Sequence, residues 1–312
     1  MRERLAWAGV VVFGAAALAF GFLLQRQEKP VPAPVRFTVD TPGNGSLPLF
    51  GRPSVSPDGQ SVLFAVTDPA SRSTVWYLHS LATGTSRALP GTENITAAYW
   101  SFDSRSILLS RSNAFWRMDL NTSFPQQLSA VGAYSSWQPE GIVTGGRAGL
   151  RWFRPDGSGL RWVKKRDDKN GISYSYPSLV PGGRWLIYNA AKTDGEGATS
   201  FSLHLATLDG KVDRQILTAA HPAIYTSPGY LLYLRGDTLM EQVIDPESGK
   251  LGGDPAVVVN SIGSTEGIID LLGSFSASAN GVLAFRRAIV PPEQKAANSF
   301  TVIVNWPSLL KK

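Results

Sequence analysis

Tyr134, Tyr174, Tyr176 and Tyr225 stand in or beside some of the segments expected to be the longest and most irregular loops of the chain, residues 130–135, 167–176, 189–199, 219–225 and 261–273. Tyrosine joins a broad apolar ring to a hydroxyl at small entropic cost, which suits recognition more than bond breaking. These four are the candidate binding residues. The alternative is that the rings fill interior space and meet no ligand.

Other chemistry has fewer carriers. His79, His204 and His221 are too scattered to suggest a metal site, and each reads as an ordinary strand or loop histidine. The absence of cysteine excludes a thiol nucleophile, a cysteine zinc site and a disulfide scaffold. No Walker loop, kinase glycine loop or G-x-S-x-G occurs, so phosphoryl transfer and α/β-hydrolase chemistry lack their usual signatures. Asp167 to Gly171 (DDKNG) begins like a calcium loop. About seven residues further on, however, Ser178 and Leu179 stand where an acid is needed. Asn94-Ile95-Thr96 and Asn121-Thr122-Ser123 match the glycosylation pattern, which matters only in a glycosylating host. No catalytic residue, metal ligand or cofactor is expected.

Composition narrows the class. Of the 312 residues 43% are hydrophobic and only 17% charged, against disorder, while 31 Gly and 21 Pro favour turns over long helices. The net charge of +6 includes +2 from residues 1–29, and the other basic residues are dispersed. Nucleic-acid binding is not expected without a basic stripe or module.

Leu5 to Leu24, LAWAGVVVFGAAALAFGFLL, carries no charge. As a helix it would span roughly 30 Å, the thickness of a bilayer's hydrocarbon core. The run is longer than a signal peptide's apolar stretch and ends in bulky Phe22-Leu23-Leu24 followed by Gln25-Arg26, so an uncleaved signal anchor is favoured over a cleaved signal peptide. Residues 1–4 would then be cytoplasmic, 5–24 a transmembrane helix and 25–35 a Pro-rich spacer. The domain at 36–312 would face the periplasm or exterior on a single-pass anchor in the cytoplasmic membrane.

After the spacer a unit recurs: short strand, Pro/Asp/Gly turn, apolar strand, third strand, second turn, fourth strand. PSVSPDGQSVLFAV followed by STVWYLHSLATGTSRALP shows it most clearly. The first turns fall near Pro57, Phe102, Pro139, Pro181, Pro228 and Ala279. Four strands with a period in the forties are the signature of a propeller blade. The chain is therefore expected to be all-β, a six-bladed β-propeller of four-stranded blades. Tyr134, Tyr174, Tyr176 and Tyr225 would each precede an innermost strand at one mouth of its channel, with the tight PDG, FDS and PGG turns on the opposite face. The sixth unit lacks a fourth strand and RFTVDT, Arg36 to Thr41, precedes the first, so this segment is expected to close the ring beside Phe300 to Asn305.

RFTVDTP, PSVSPDGQSVLFA, LPGTENITAAYWSFDSRSILL, GYLLYLRGDTLMEQVIDPESGKLGGDP, FSASANGVLAFR and FTVIVNWPSLLKK carry a resemblance across nearly all of 36–312. The chain resembles the TolB-like, WD-repeat-like six-bladed propellers found as C-terminal sensor regions of bacterial membrane-anchored serine/threonine protein kinases. The family's kinase would lie before the apolar segment, where only residues 1–4 stand here, so the resemblance is expected to imply an anchored propeller without kinase activity. Its expected role is a non-enzymatic binding or sensor scaffold for a protein or a small extracellular ligand, held to the membrane by the N-terminal helix. Two alternatives are an enzyme, hydrolase or lyase, with its site in the channel, and a relic of a propeller sensor kinase. Acids and histidines lining the channel would favour chemistry, and aromatic and apolar residues would favour binding.

Overall fold

The computed structural model describes residues 32–48, 52–112, 114–121, 124–146, 148–218, 223–262, 274–287 and 298–310. The chain divides into two compact units, Met1–Ala33 and Pro34–Lys312. The expected anchor at 5–24, its flanks through residue 31, His221, and the second glycosylation pattern beyond Asn121 lie outside the described residues. Among the described residues no helix is long and apolar enough to cross a membrane.

The second unit is an all-β six-bladed propeller, each blade a four-stranded antiparallel sheet. Blades 1 to 5 follow chain order from innermost to outermost strand, as in Ser54–Val55, Ser61–Thr67, Thr74–Ser80 and Ser86–Ala88 of blade 1. Blade 6 is composite. Phe275–Ala277, Val282–Phe285 and Ser299–Val304 supply three strands, and Val35–Asp40 adds the outermost, in register from Val35 opposite Val304 to Asp40 opposite Ser299. The expected closure is thus the one observed.

Second strands are apolar throughout because each faces two neighbours. In Ser61–Thr67, Leu63 and Ala65 enter a core shared with Trp100, Ile107 and Met118 of blade 2. Val62, Phe64 and Val66 point the other way, onto Val282, Ala284, Phe300 and Val302 of blade 6. Side chains alternate across a strand, so a strand covered on both faces loses the polar half of its pattern. Repeated around the ring, this gives six inter-blade cores, one at each junction.

The tight turns share one polar device. Ser56 Oγ donates to Asp58 Oδ1 at 2.5 Å, Asp58 accepts the Gln60 N–H, and Ser56 accepts the Ser61 N–H. Ser101 with Asp103, and Thr207 with Asp209, reproduce the arrangement. A carboxylate that collects turn N–H groups replaces the ladder bonds lost where the chain reverses.

Two loop expectations are corrected. Residues 189–199 do not form a long irregular loop. Trp185–Thr193 and Thr199–Thr207 are paired along their length, and only 194–198 turn, with Asp194 Oδ1 accepting the Glu196 and Ala198 N–H groups. Residues 167–176 are likewise shorter as a loop, because Ile172–Leu179 is already strand.

Candidate functional site

The inner edge of each blade faces the channel, and its backbone groups need partners beyond the blade's own ladder. Serines of the innermost strands supply them across blade junctions. Ser136 Oγ accepts the Leu179 N–H at 3.0 Å, Ser178 Oγ the Tyr225 N–H at 3.2 Å, and Ser276 Oγ the Val55 N–H at 2.8 Å. These bonds hold the inner strands in a ring and fix what projects at its ends.

At the end where the innermost strands begin, Arg52, Tyr99, Tyr134, Ser135, Tyr176, Pro177, Ala223 and Ile224 surround a cavity of about 30 Å³. They come from blades 1 to 5. Tyr134 and Tyr176 lie ring against ring, with centroids 3.9 Å apart. Tyr99 turns its hydroxyl aside to donate to the Ala133 carbonyl at 2.6 Å. Arg52 forms no ion pair among the described residues.

Tyr176 is the unusual member. The pairing of Ile172–Leu179 with its neighbour shifts register between Ser175 and Ser178, and in this bulge Tyr176 adopts φ 51°. A bulky residue at positive φ is uncommon, and bulges re-aim side chains beside functional sites. Pro177 has no N–H to offer a ladder and suits the interruption. Tyr176 is only 5% exposed, and among the described residues its buried hydroxyl has no hydrogen-bond partner, nor does the buried Oγ of Ser135. Burial, then Tyr134 alongside, raises the Tyr176 hydroxyl well above the ordinary phenol range, and burial raises Tyr99 too. Both therefore stay neutral and able to donate. A cavity of this size holds a water or the tip of a small polar group.

The four tyrosines expected at one mouth separate into two pairs. Tyr134 and Tyr176 line the cavity. Tyr174 packs between blades 3 and 4, edge-on to Tyr188, with Lys164 Nζ 4.6 Å from its ring centre. Tyr225 packs against the core between blades 4 and 5. None precedes its innermost strand: Tyr134 opens one, and the other three lie inside. Tyr174 and Tyr176, two residues apart on one strand, would share a face by simple alternation, and the bulge between Ser175 and Ser178 separates them. Arg52 and Tyr99 carry no mark in the sequence, because only the packing of successive blades brings them beside Tyr134.

A second polar group lies at the flank between the outer strands of blades 3 and 4. Asp213 accepts from His204 Nδ1 at 3.0 Å, from the Tyr188 hydroxyl at 2.8 Å and from Lys164 Nζ. Lys164 Nζ also donates to the Tyr188 oxygen at 3.1 Å. Burial alone would raise Asp213, but the bonds from His204, Lys164 and Tyr188 outweigh it and hold the carboxyl well below its usual range. No local pattern along the chain marks this group, since blade 3 supplies Lys164 and three different strands of blade 4 supply the rest. Among the described residues no group of three or more histidines and acids could hold a metal ion.

No protein-family model matches the chain, and no curated protein matches it in sequence. Many solved structures do match in fold. A putative TolB from Agrobacterium tumefaciens is similar at 15% identity and a TM-score of 0.51, covering 87% of this chain and 97% of its own. An oligogalacturonate lyase in complex with manganese gives 12%, 0.52, 88% and 96%. TolB from Acinetobacter baumannii gives 14% and 0.47 over 64% of this chain, and the match spans only 52% of that protein. The chain is a TolB-like propeller in fold, and these likenesses extend no further than fold.

Proposed function

We propose that this propeller is a binding scaffold whose recognition site is the channel end bounded by Arg52, Tyr99, Tyr134 and Tyr176. The observation that carries the reading is the lining. Aromatic rings, an arginine and a buried tyrosine hydroxyl, both without partners among the described residues, surround a small cavity, and none of the described residues that line it is an acid or a histidine. Such a set can seat a hydroxyl or carboxylate from a partner segment, with the rings gripping its apolar part. Residues 5–24 anchor the chain in the cytoplasmic membrane, and the propeller works on the outer side.

A photoreactive residue in place of Tyr134 tests the site in intact cells. It should crosslink one partner, and adding Arg52→Ala or Tyr176→Phe should reduce the yield at least fivefold. Equal crosslinking from the opposite turn face, unaffected by either change, overturns the assignment. A C-terminal reporter active only in the periplasm tests the location, and a cytoplasmic signal refutes it. The lyase-like fold suggests channel chemistry as the second reading, and the described lining of aromatic rings, Arg52 and Ser135 favours binding over it.

A further inference from the structure

We propose that Ser202, His204 and Asp213, on the flank of blade 4, form a nucleophilic acyl-transfer site for small carboxylic esters. Ser202 and His204 are two residues apart on the strand Thr199–Thr207, and so share one face. Ser202 Oγ lies 3.1 Å from His204 Nε2, and His204 Nδ1 lies 3.0 Å from Asp213 Oδ1. The atoms are matched as acyl transfer requires. Asp213 is ionised and can only accept, so the ring proton sits on Nδ1 and Nε2 is left as the acceptor for the serine hydroxyl. The Tyr188 ring stacks on His204 at 5.2 Å between centroids, and the Tyr188 hydroxyl and Lys164 hold the carboxylate in place.

The strand pairing is irregular at this point. Ser202 stands opposite Thr218 and Leu203 opposite Leu217, but His204 is opposite Gln215, so Ile216 is the extra residue of a bulge. The Gln215 amide gives one N–H to Thr218 Oγ1 at 3.2 Å, and its second N–H can meet a developing oxyanion. Ser202 and His204 are half-buried, and Gln215 and Thr218 are exposed. Reagents can therefore reach the serine. With no deep acyl pocket there among the described residues, the site would select for a small acyl group and a good leaving group.

The chemistry balances with water as the only co-reactant. Ser202 Oγ adds to the ester carbonyl carbon while His204 Nε2 takes the hydroxyl proton. Collapse breaks the bond to the leaving alcohol, which receives that proton from Nε2 and leaves an acyl-Ser202 ester. His204 then takes a proton from water as its oxygen adds to the acyl carbon. The second collapse returns the proton to Ser202 and releases the carboxylic acid. Ser202 and His204 are the catalytic residues. Asp213, Tyr188 and Lys164 are positioning residues.

The test uses the full chain, a fluorophosphonate probe and 4-nitrophenyl acetate. The parent should be labelled at Ser202, located by mass spectrometry of the digest, and should release nitrophenol with a burst. Ser202→Ala should abolish both, and His204→Ala should slow both by roughly 10²–10⁴-fold, with partial rescue by added imidazole. For Asp213→Asn, ¹⁵N spectra should show the His204 ring proton leaving Nδ1 while melting shows that the fold persists. Failure to label the folded parent, labelling at another residue, or labelling undiminished in Ser202→Ala overturns the proposal.

Discussion

At the scale of single residues, buried polar atoms without partners are the informative ones. A buried donor left unpaired costs about 1–3 kcal/mol, so a fold that retains one without use is at a disadvantage. Tyr176 combines such a hydroxyl with a positive φ. Tyr176→Phe is therefore expected to leave stability unchanged or raise it by about 1 kcal/mol in urea melts. The same change should weaken partner crosslinking at the channel end. Weakened binding with an equal loss of stability would reduce Tyr176 to a packing role. The sequence pointed to Tyr134 and Tyr176 through residue type and neighbouring loops. It could not separate them from Tyr174 and Tyr225, because the bulge between Ser175 and Ser178 that re-aims Tyr176 leaves no mark in the hydrophobic pattern.

At the scale of elements, the turns were the most legible feature, because their chemistry is local. SPDG, SFDS and TLDG each place a hydroxyl two residues before a carboxylate, and each forms the same hydrogen-bonded turn. The Thr207 hydroxyl and the Lys211 backbone hold Asp209 down to about 2. Asp103 is lowered too: its partial burial would raise it, but bonds from Ser101 and Arg105 prevail. A carboxylate depressed on folding stabilises the fold above its unfolded pKa, and this contribution disappears as pH falls through the folded value. The urea midpoint should therefore fall between about pH 4 and pH 2. Asp209→Asn should lower the midpoint at neutral pH by an amount that vanishes near pH 2, and a gap independent of pH would rule out the charge as its cause. Less legible was where strands end. The stretch Ala190–Thr193 reads as loop but is strand, because the hairpin's ladder and the Asp194 turn outweigh its weak propensity.

At the scale of the whole molecule, the ring was legible because its period repeats and its sixth unit lacks a strand that an unassigned segment could supply. What the flank of blade 4 gathers was not legible, since Lys164, Tyr188, His204 and Asp213 meet only through sheet pairing and blade packing. The ring is also a statement about cooperativity. Each blade shares its two faces with two neighbours, so stability resides mostly in the six junctions, as in other repeat architectures. A closed ring has no end from which to fray, and the propeller should unfold in one calorimetric transition. Two changes at the junction of blades 6 and 1 should then differ. Phe64→Ala removes a fully buried ring packed on Phe300 and should cost about 3–5 kcal/mol, keeping a single transition. Val39→Asp places a charge at the buried position where the closing strand meets Phe300 and should release Val35–Asp40. Blades 6 and 1 then become ends, so unfolding should broaden, with a van't Hoff enthalpy below the calorimetric one. The freed edge at Ser299–Val304 should also raise light scattering at high concentration. If Val39→Asp melts as sharply as the parent and stays monodisperse, the closing strand merely covers blade 6, and the ring's cooperativity lies in the other five junctions.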